Sequence, residues 1–208
     1  MILCDIGNST FHFLKDENEF KISIADTLPV FEDTIYFISV NEAASKKLLN
    51  QYPNAINIKD FFTFNTSYAS TMGLDRVVAC SYISDAIIVD CGSAITVDIM
   101  QNNNHAGGFI MPGIDAIRNI YPNISSKLVF NFENNINLDK IPLNTNDAIN
   151  YALLQMIILP IKNIQEKYNL KIIFTGETSK YIENYFENKK YEKHLIFKSM
   201  KSAIRENI

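Results

Sequence analysis

Two aspartates each close an apolar run and are followed one residue later by glycine. One run reads Ile2-Leu3-Cys4-Asp5-Ile6-Gly7-Asn8-Ser9-Thr10, the other Ile87-Ile88-Val89-Asp90-Cys91-Gly92-Ser93-Ala94-Ile95-Thr96. A carboxylate at the end of a buried strand, followed by a glycine turn, can hold a metal-bound phosphate. Glycine lets the backbone turn and approach a ligand with no Cβ in the way. The N–H groups of Gly7, Asn8 and Ser9 can then face phosphate oxygens as an anion-binding nest. Asp5 itself repels phosphate and needs a cation between them; Mg²⁺ binds one or two carboxylates together with nucleotide phosphates. A single Asp-x-Gly is also an ordinary hairpin turn. Its second copy, in a chain of only seven glycines, points to two related half-domains facing each other across a nucleotide.

Gly73-Leu74-Asp75-Arg76 is a third element, at the predicted start of a helix. Read blandly, it is a helix start with an acidic first turn. Read chemically, Asp75 accepts a hydroxyl proton and Arg76 pairs with a substrate carboxylate, which its planar fork suits. Gly107-Gly108-Phe109-Ile110-Met111-Pro112-Gly113 brings a helix start to a close approach, and Thr175-Gly176 follows another apolar strand. There is no P-loop signature, no protein-kinase signature and no nucleophile elbow. His12, His105 and His194 lie apart without nearby Cys or Glu pairs, which argues against zinc.

The elements that must position these residues are mostly short strands. Met1–Ile6, Thr10–Leu14 and Phe20–Ile24 are β-rich, with a polar hairpin at Lys15-Asp16-Glu17-Asn18. Thr34–Val40 is continuously apolar and reads as a central strand. Asn41 caps a helix to about Asn50, and Ala55–Ile58 is another short strand. Residues 59–72 read as loop, Gly73–Asp85 as helix. The β pattern then restarts with Ala86–Asp90, Ala94–Met100 and Ala106–Met111. A short helix follows over Gly113–Ile120. A long one, capped by Thr145 or Asn146, runs to Tyr168 with a kink at Pro160. Lys171–Phe174 is a strand, a helix starts at Ser179, Lys189-Lys190 to Lys193 marks a solvated helix end, and Leu195–Phe197 with a short tail helix ends the chain. Two lobes are expected: residues 1–85, and residues 86–208, the tail helix able to pack back on the first.

Composition narrows the function classes. The 208 residues are 47% hydrophobic with a net charge of −4, the balance of a globular protein with no basic footprint for nucleic acid or an anionic membrane. No apolar run reaches the roughly 18–20 residues that span a bilayer, and no leader peptide is expected ahead of the first strand. Cys4, Cys80 and Cys91 lack metal or disulfide spacing and read as buried thiols in a reducing compartment. A cytoplasmic location is expected.

Asp5-Ile6-Gly7-Asn8-Ser9, Gly73-Leu74-Asp75-Arg76, Asp90-Cys91-Gly92-Ser93-Ala94-Ile95-Thr96-Val97-Asp98 and Gly107–Gly113 together closely resemble type III pantothenate kinase. That bacterial family belongs to the acetate and sugar kinase/Hsp70/actin superfamily. The resemblance covers residues 1–176 well and the tail loosely. It implies an α/β fold of two ribonuclease-H-like lobes with mixed central sheets, a homodimer, and ATP-dependent phosphorylation of pantothenate, the first step of coenzyme A synthesis. It implies Mg²⁺ and an activating K⁺ or NH₄⁺.

By motif position, Asp5, Ile6, Gly7, Asn8, Ser9, Thr10, Phe11 and His12 would bind ATP phosphates, with Asp5 near Mg²⁺ and Ser93 on ATP. Asp75 would be the general base. Gly73, Leu74, Asp75, Arg76, Tyr68 and Thr145 would contact pantothenate, Thr145 across the dimer, and Asp90 would hold the monovalent cation. Ser9 and Ser93 replace the family's usual threonines and keep the hydroxyl. Glu177 stands where a second glycine is usual, and Ser199 near the glycine expected before the tail helix. Two alternatives remain: another small-molecule phosphotransferase or phosphohydrolase on the same fold, and a non-catalytic regulatory relative.

Overall fold

The computed structural model describes residues 1–208 apart from Phe64, Ser67, Ala69 and Ser70, all within the stretch expected as loop. The chain forms two units, Met1–Ile83 with His194–Ile208, and Ser84–Lys193.

In the first unit, β1 (Ile2–Ile6), β2 (Thr10–Lys15) and β3 (Asn18–Ser23) form an antiparallel meander. Asp16 and Glu17 take left-handed φ values of 47° and 68° at the β2–β3 tip, the backbone of a twist-compatible two-residue hairpin. β4 (Ile35–Ser39) and β5 (Ile56–Asn57) add in parallel beyond β1, giving the order β3-β2-β1-β4-β5. Helix α1 (Glu42–Gln51) joins them, and Asn41 Oδ1 accepts the Ala44 N–H at 3.0 Å as the expected cap. The 59–72 stretch includes a 3₁₀ turn, Lys59–Phe61, and a two-residue strand β6 (Asn65–Thr66). α2 (Leu74–Cys80) follows.

Strand alternation divides the apolar residues between two faces. Ile2, Cys4, Ile6, Phe11, Phe13 and Phe37 pack with Ala44 and Leu48 of α1 on one face. Leu3, Leu14 and Ile38 lie in a second cluster with Val78 of α2.

The second unit repeats the plan. β7 (Ala86–Cys91), β8 (Ala94–Gln101) and β9 (Asn104–Pro112) form the meander. Its hairpin tip has Asn102 and Asn103 at φ 50° and 62°. After α3 (Ile114–Ile124) and α4 (Thr145–Tyr168), β10 (Ile172–Thr175) and β11 (Lys189–Tyr191) add in parallel, in the order β11-β10-β7-β8-β9. Ile87, Val89, Val97, Ile99, Leu153, Leu154, Ile157 and Phe174 make the core. Asp98 on β8 and His105 on β9 are fully buried and joined at 2.7 Å. The last helix, α5 (Leu195–Asn207), belongs to the first unit, where Phe197, Met200 and Ala203 join the cluster of Leu3 and Val78.

Several elements differ from the sequence reading. α2 stops at Cys80, because the Ser81 hydroxyl donates back to the Val77 carbonyl and Tyr82 turns to φ 65°. Asn144, not Thr145 or Asn146, caps α4, its Oδ1 accepting the Asp147 N–H at 3.0 Å. α4 itself runs to Tyr168 with Pro160 inside it, as expected. The segment from Ser179 forms two 3₁₀ turns, Glu177–Tyr181 and Glu183–Tyr185. Lys189-Lys190 is not a helix end but the edge strand β11, where lysines guard against edge-to-edge pairing. Leu195–Phe197 is already the first turn of α5.

Candidate functional site

In the first unit, β1 delivers Asp5 to its C-terminal end, half-buried, opposite His12 of β2. The turn beyond it is closed by the Gly7 N–H donating to the Thr10 carbonyl at 3.0 Å. That corrects the expected nest: the Gly7 N–H closes the hairpin, which leaves Asn8 and Ser9, both exposed, to offer donors. A Cβ on Gly7 would meet nothing nearer than the Thr10 carbonyl at 3.7 Å. Packing within the unit therefore gives no reason for glycine here, whereas close approach of a ligand does. The Asn41 side chain donates to the Asn8 carbonyl at 3.3 Å, tying the turn to the start of α1.

Ile6 and Phe11 are fully buried in the core, so what they offer a ligand is backbone. His12 shares a 2.6 Å hydrogen bond with Glu19 and stands edge-on to Phe197. Arg76, on α2, is buried; its guanidinium lies over the Tyr68 ring at 4.8 Å and donates to the Tyr68 hydroxyl at 3.2 Å. The structure thus brings Tyr68 and Arg76 together, a pairing the sequence spacing did not suggest. Asp75 is exposed beside them, and Leu74 packs toward the core.

In the second unit, Asp90 ends β7 between Thr96 of β8 and Thr175 of β10. The Gly92 N–H closes its turn onto the Ala94 carbonyl at 3.0 Å, with Ser93 exposed. Three further contacts clamp this turn. The Gly113 N–H donates to the Ser93 carbonyl, and a Cβ on Gly113 would fall 2.5 Å from the Gly92 and Ser93 carbonyl oxygens. Gly176, at φ 82°, lies so close to Cys91 that a Cβ would be 2.4 Å from its carbonyl oxygen. Thr178 Oγ1 donates to that same oxygen at 2.9 Å. Sequence reasoning missed Thr178, and nothing in its neighbours signals the role. Thr145 sits exposed in the first turn of α4, away from this turn in sequence and on a separate element. Ser199 is buried on α5 with its hydroxyl toward the Ser81 carbonyl at 3.4 Å, a packing position.

The donor chemistry fits hard cations. Burial, and then the Asp5 charge, pushes the Cys4 thiol up. Burial, then Asp90 and Glu183, does the same for Cys91. Both stay protonated, so the two strand ends present carboxylate oxygen rather than sulfur, the ligand type of Mg²⁺ and alkali cations.

A meander followed by two parallel strands, occurring twice with an aspartate near the end of each first strand, is a duplicated α/β fold. Fold-level similarity extends to a Sinorhizobium meliloti structure bearing the 2-dehydro-3-deoxygalactonokinase name, with a TM-score of 0.55 at 9% identity, covering 99% of this chain and 96% of that one. The family model of type III pantothenate kinase matches residues 36–167. The chain is 43% identical over 208 residues to the type III pantothenate kinase of Campylobacter jejuni subsp. jejuni serotype O:2, covering 100% of this chain and 98% of that one. It is 39% identical to that of Helicobacter hepaticus, over the full length of both. A C. jejuni crystal structure bearing the Baf family transcriptional activator name superposes with a TM-score of 0.89 at 42% identity, over 100% of this chain and 98% of that one. The chain belongs to the type III pantothenate kinase family.

Proposed function

We propose that the protein phosphorylates pantothenate to 4'-phosphopantothenate with ATP, the first step of coenzyme A synthesis. The observation that carries this reading is the full-length similarity to the C. jejuni type III pantothenate kinase. The primary hydroxyl oxygen of pantothenate bonds to the γ-phosphorus of ATP as the bond to the β–γ bridging oxygen breaks. ADP leaves with that electron pair, and the hydroxyl proton passes to Asp75. Such transfers have loose transition states, so rate comes mainly from positioning and charge stabilisation. The Asp5–His12 segment, chiefly the Asn8 and Ser9 N–H groups, binds the phosphates, and Ser93 contacts ATP. Asp5 would hold Mg²⁺ and Asp90 K⁺ or NH₄⁺; the cations neutralise phosphate charge when bound. Gly73, Leu74, Asp75, Arg76 and Tyr68 form the pantothenate contacts, with Thr145 reaching it across the dimer.

The stacked Tyr68–Arg76 pair presets one wall of that subsite. Ile120, Ile124, Met156 and Leu159 on α3 and α4 are exposed apolar side chains, which supports a homodimer through this face. No helix among the described residues is long and apolar enough to cross a membrane, and a cytoplasmic location accords with that. The transcriptional-activator name of the C. jejuni structure brings in a regulatory reading, but the net charge of −4 disfavours direct DNA contact. A coupled ADP-release assay with ATP, Mg²⁺ and K⁺ should show turnover with pantothenate and none with a panel of sugars or acetate. Turnover on a sugar instead would replace the substrate assignment, and no turnover on any acceptor would favour the regulator.

A further inference from the structure

Gly73 is the N-cap of α2, with φ −61° and ψ 142°, extended backbone that any residue adopts. Conformation gives no reason for glycine there; a neighbour does. A Cβ on Gly73 would lie 2.5 Å from Asp75 Oδ1 and 3.6 Å from Asp75 Cγ. The carboxylate of Asp75 thus occupies the volume that a side chain at position 73 would fill. From that place Oδ1 accepts the Arg76 N–H at 2.9 Å.

An N-cap side chain ordinarily satisfies that donor, the third N–H of the helix. Gly73 has no side chain to do so, and Asp75 caps the helix on which it stands. One carboxylate oxygen is therefore fixed by a backbone N–H, while Oδ2 makes no hydrogen bond among the described residues and Asp75 is exposed.

We infer that Gly73 is a positioning residue for Asp75: its missing side chain makes room for the carboxylate to cap α2, and the cap sets the direction of the free oxygen. This rests on Asp75 being the proton acceptor of the proposed reaction. The colliding atom is the far end of a rotatable side chain, so a residue at 73 displaces the carboxylate rather than the backbone. Serine is the sharpest probe. Its hydroxyl competes for the Arg76 N–H and takes over the cap, so the helix is preserved while Asp75 swings away.

The test compares wild type, Gly73→Ala, Gly73→Ser, Asp75→Asn and the double variant Gly73→Ser/Asp75→Asn, each assayed with pantothenate, ATP, Mg²⁺ and K⁺ and each melted thermally. Gly73→Ser is expected to melt at or above the wild-type Tm and to keep the ATP KM, while kcat falls roughly 10- to 100-fold, the scale of an ångström-level misplacement. In the Asp75→Asn background the same serine should cost little further kcat, since its proposed effect on kcat runs through the carboxylate; any lost pantothenate contact reads in KM. A kcat within threefold of wild type, a serine loss that multiplies in full on Asp75→Asn, or a marked fall in Tm would each overturn the inference. A wild-type protein inactive on pantothenate would instead bring down the substrate reading on which it rests.

Discussion

The two Asp-x-Gly turns end the same strand of the same five-stranded plan, yet they are held differently. The turn after Asp5 is tied by the Ile24 N–H donating to the Ser9 carbonyl at 3.0 Å and by Asn41 to the Asn8 carbonyl at 3.3 Å, and a Cβ on Gly7 would meet nothing nearer than 3.7 Å. The turn after Asp90 is one residue shorter, since Asp5 pairs with His12 but Asp90 with Thr96. It is also clamped from both sides, by the backbones of Gly113 and Gly176 and by the Thr178 hydroxyl. One topology thus supplies a turn with exposed donors and room around its glycine, and a turn packed closely between two glycine backbones. The roomier one accords with the proposed phosphate site, and the closely packed one with the proposed cation site.

Substitutions can break or sharpen this contrast. The largest expected effect is Gly176→Ala, where a left-handed φ and a backbone collision together should cost about 2–5 kcal/mol; urea unfolding of the purified variant measures it. Gly7→Ala should instead leave the unfolding midpoint unchanged while ATP turnover falls roughly 100-fold. Equal destabilisation by both alanines would erase the distinction between the turns. Thr178→Val removes one hydrogen bond from the clamped turn and should cost about 1 kcal/mol. Asn41→Ala should cost about as much through the lost α1 cap, and it also frees the Asn8 carbonyl, so the ATP KM should rise.

Where the turns agree, a chemical probe should find no difference. Burial pushes the Cys4 and Cys91 thiols up, so native protein at about pH 8 should give almost no fast reaction with a disulfide reagent, whereas denatured protein releases all three thiols. The smallest effects lie at the hairpin tips. The Lys201 ammonium bonded to Glu17 holds that carboxyl below its ordinary 4.5. The Asn102 N–H bonded to Asp85 holds that one below 3.8. A lowered folded value means stability present above the ordinary value and lost as pH falls through the folded one. Glu17→Gln and Asp85→Asn should therefore each lower Tm slightly at neutral pH and become silent in acid.

Much of this was legible in the sequence. The apolar run, Asp-x-Gly and second run were visible twice because a strand, a tight turn and a buried partner strand leave that pattern directly. The Asn41 cap was legible for the same local reason. What stayed hidden depends on distant partners. Lys189-Lys190-Tyr191 has no apolar signature because an exposed edge strand gets its order from β10. Ser179 began no helix because Gly176 and Thr178 are committed to Cys91 across the sheet. Asn144 was passed over because a cap is defined by where helical geometry starts, which composition fixes only to within a residue or two.

The first unit is made of two stretches of chain and the second of one. On a ribosome, Ser84–Lys193 emerges whole and can close its core while the enzyme is still being made. Leu3, Leu14 and Ile38 emerge first but wait for Phe197, Met200 and Ala203. Residues made before the second unit thus gain part of their cover after it, and a premature stop before Leu195 would leave that sheet face without its α5 cover, open to chaperone or protease.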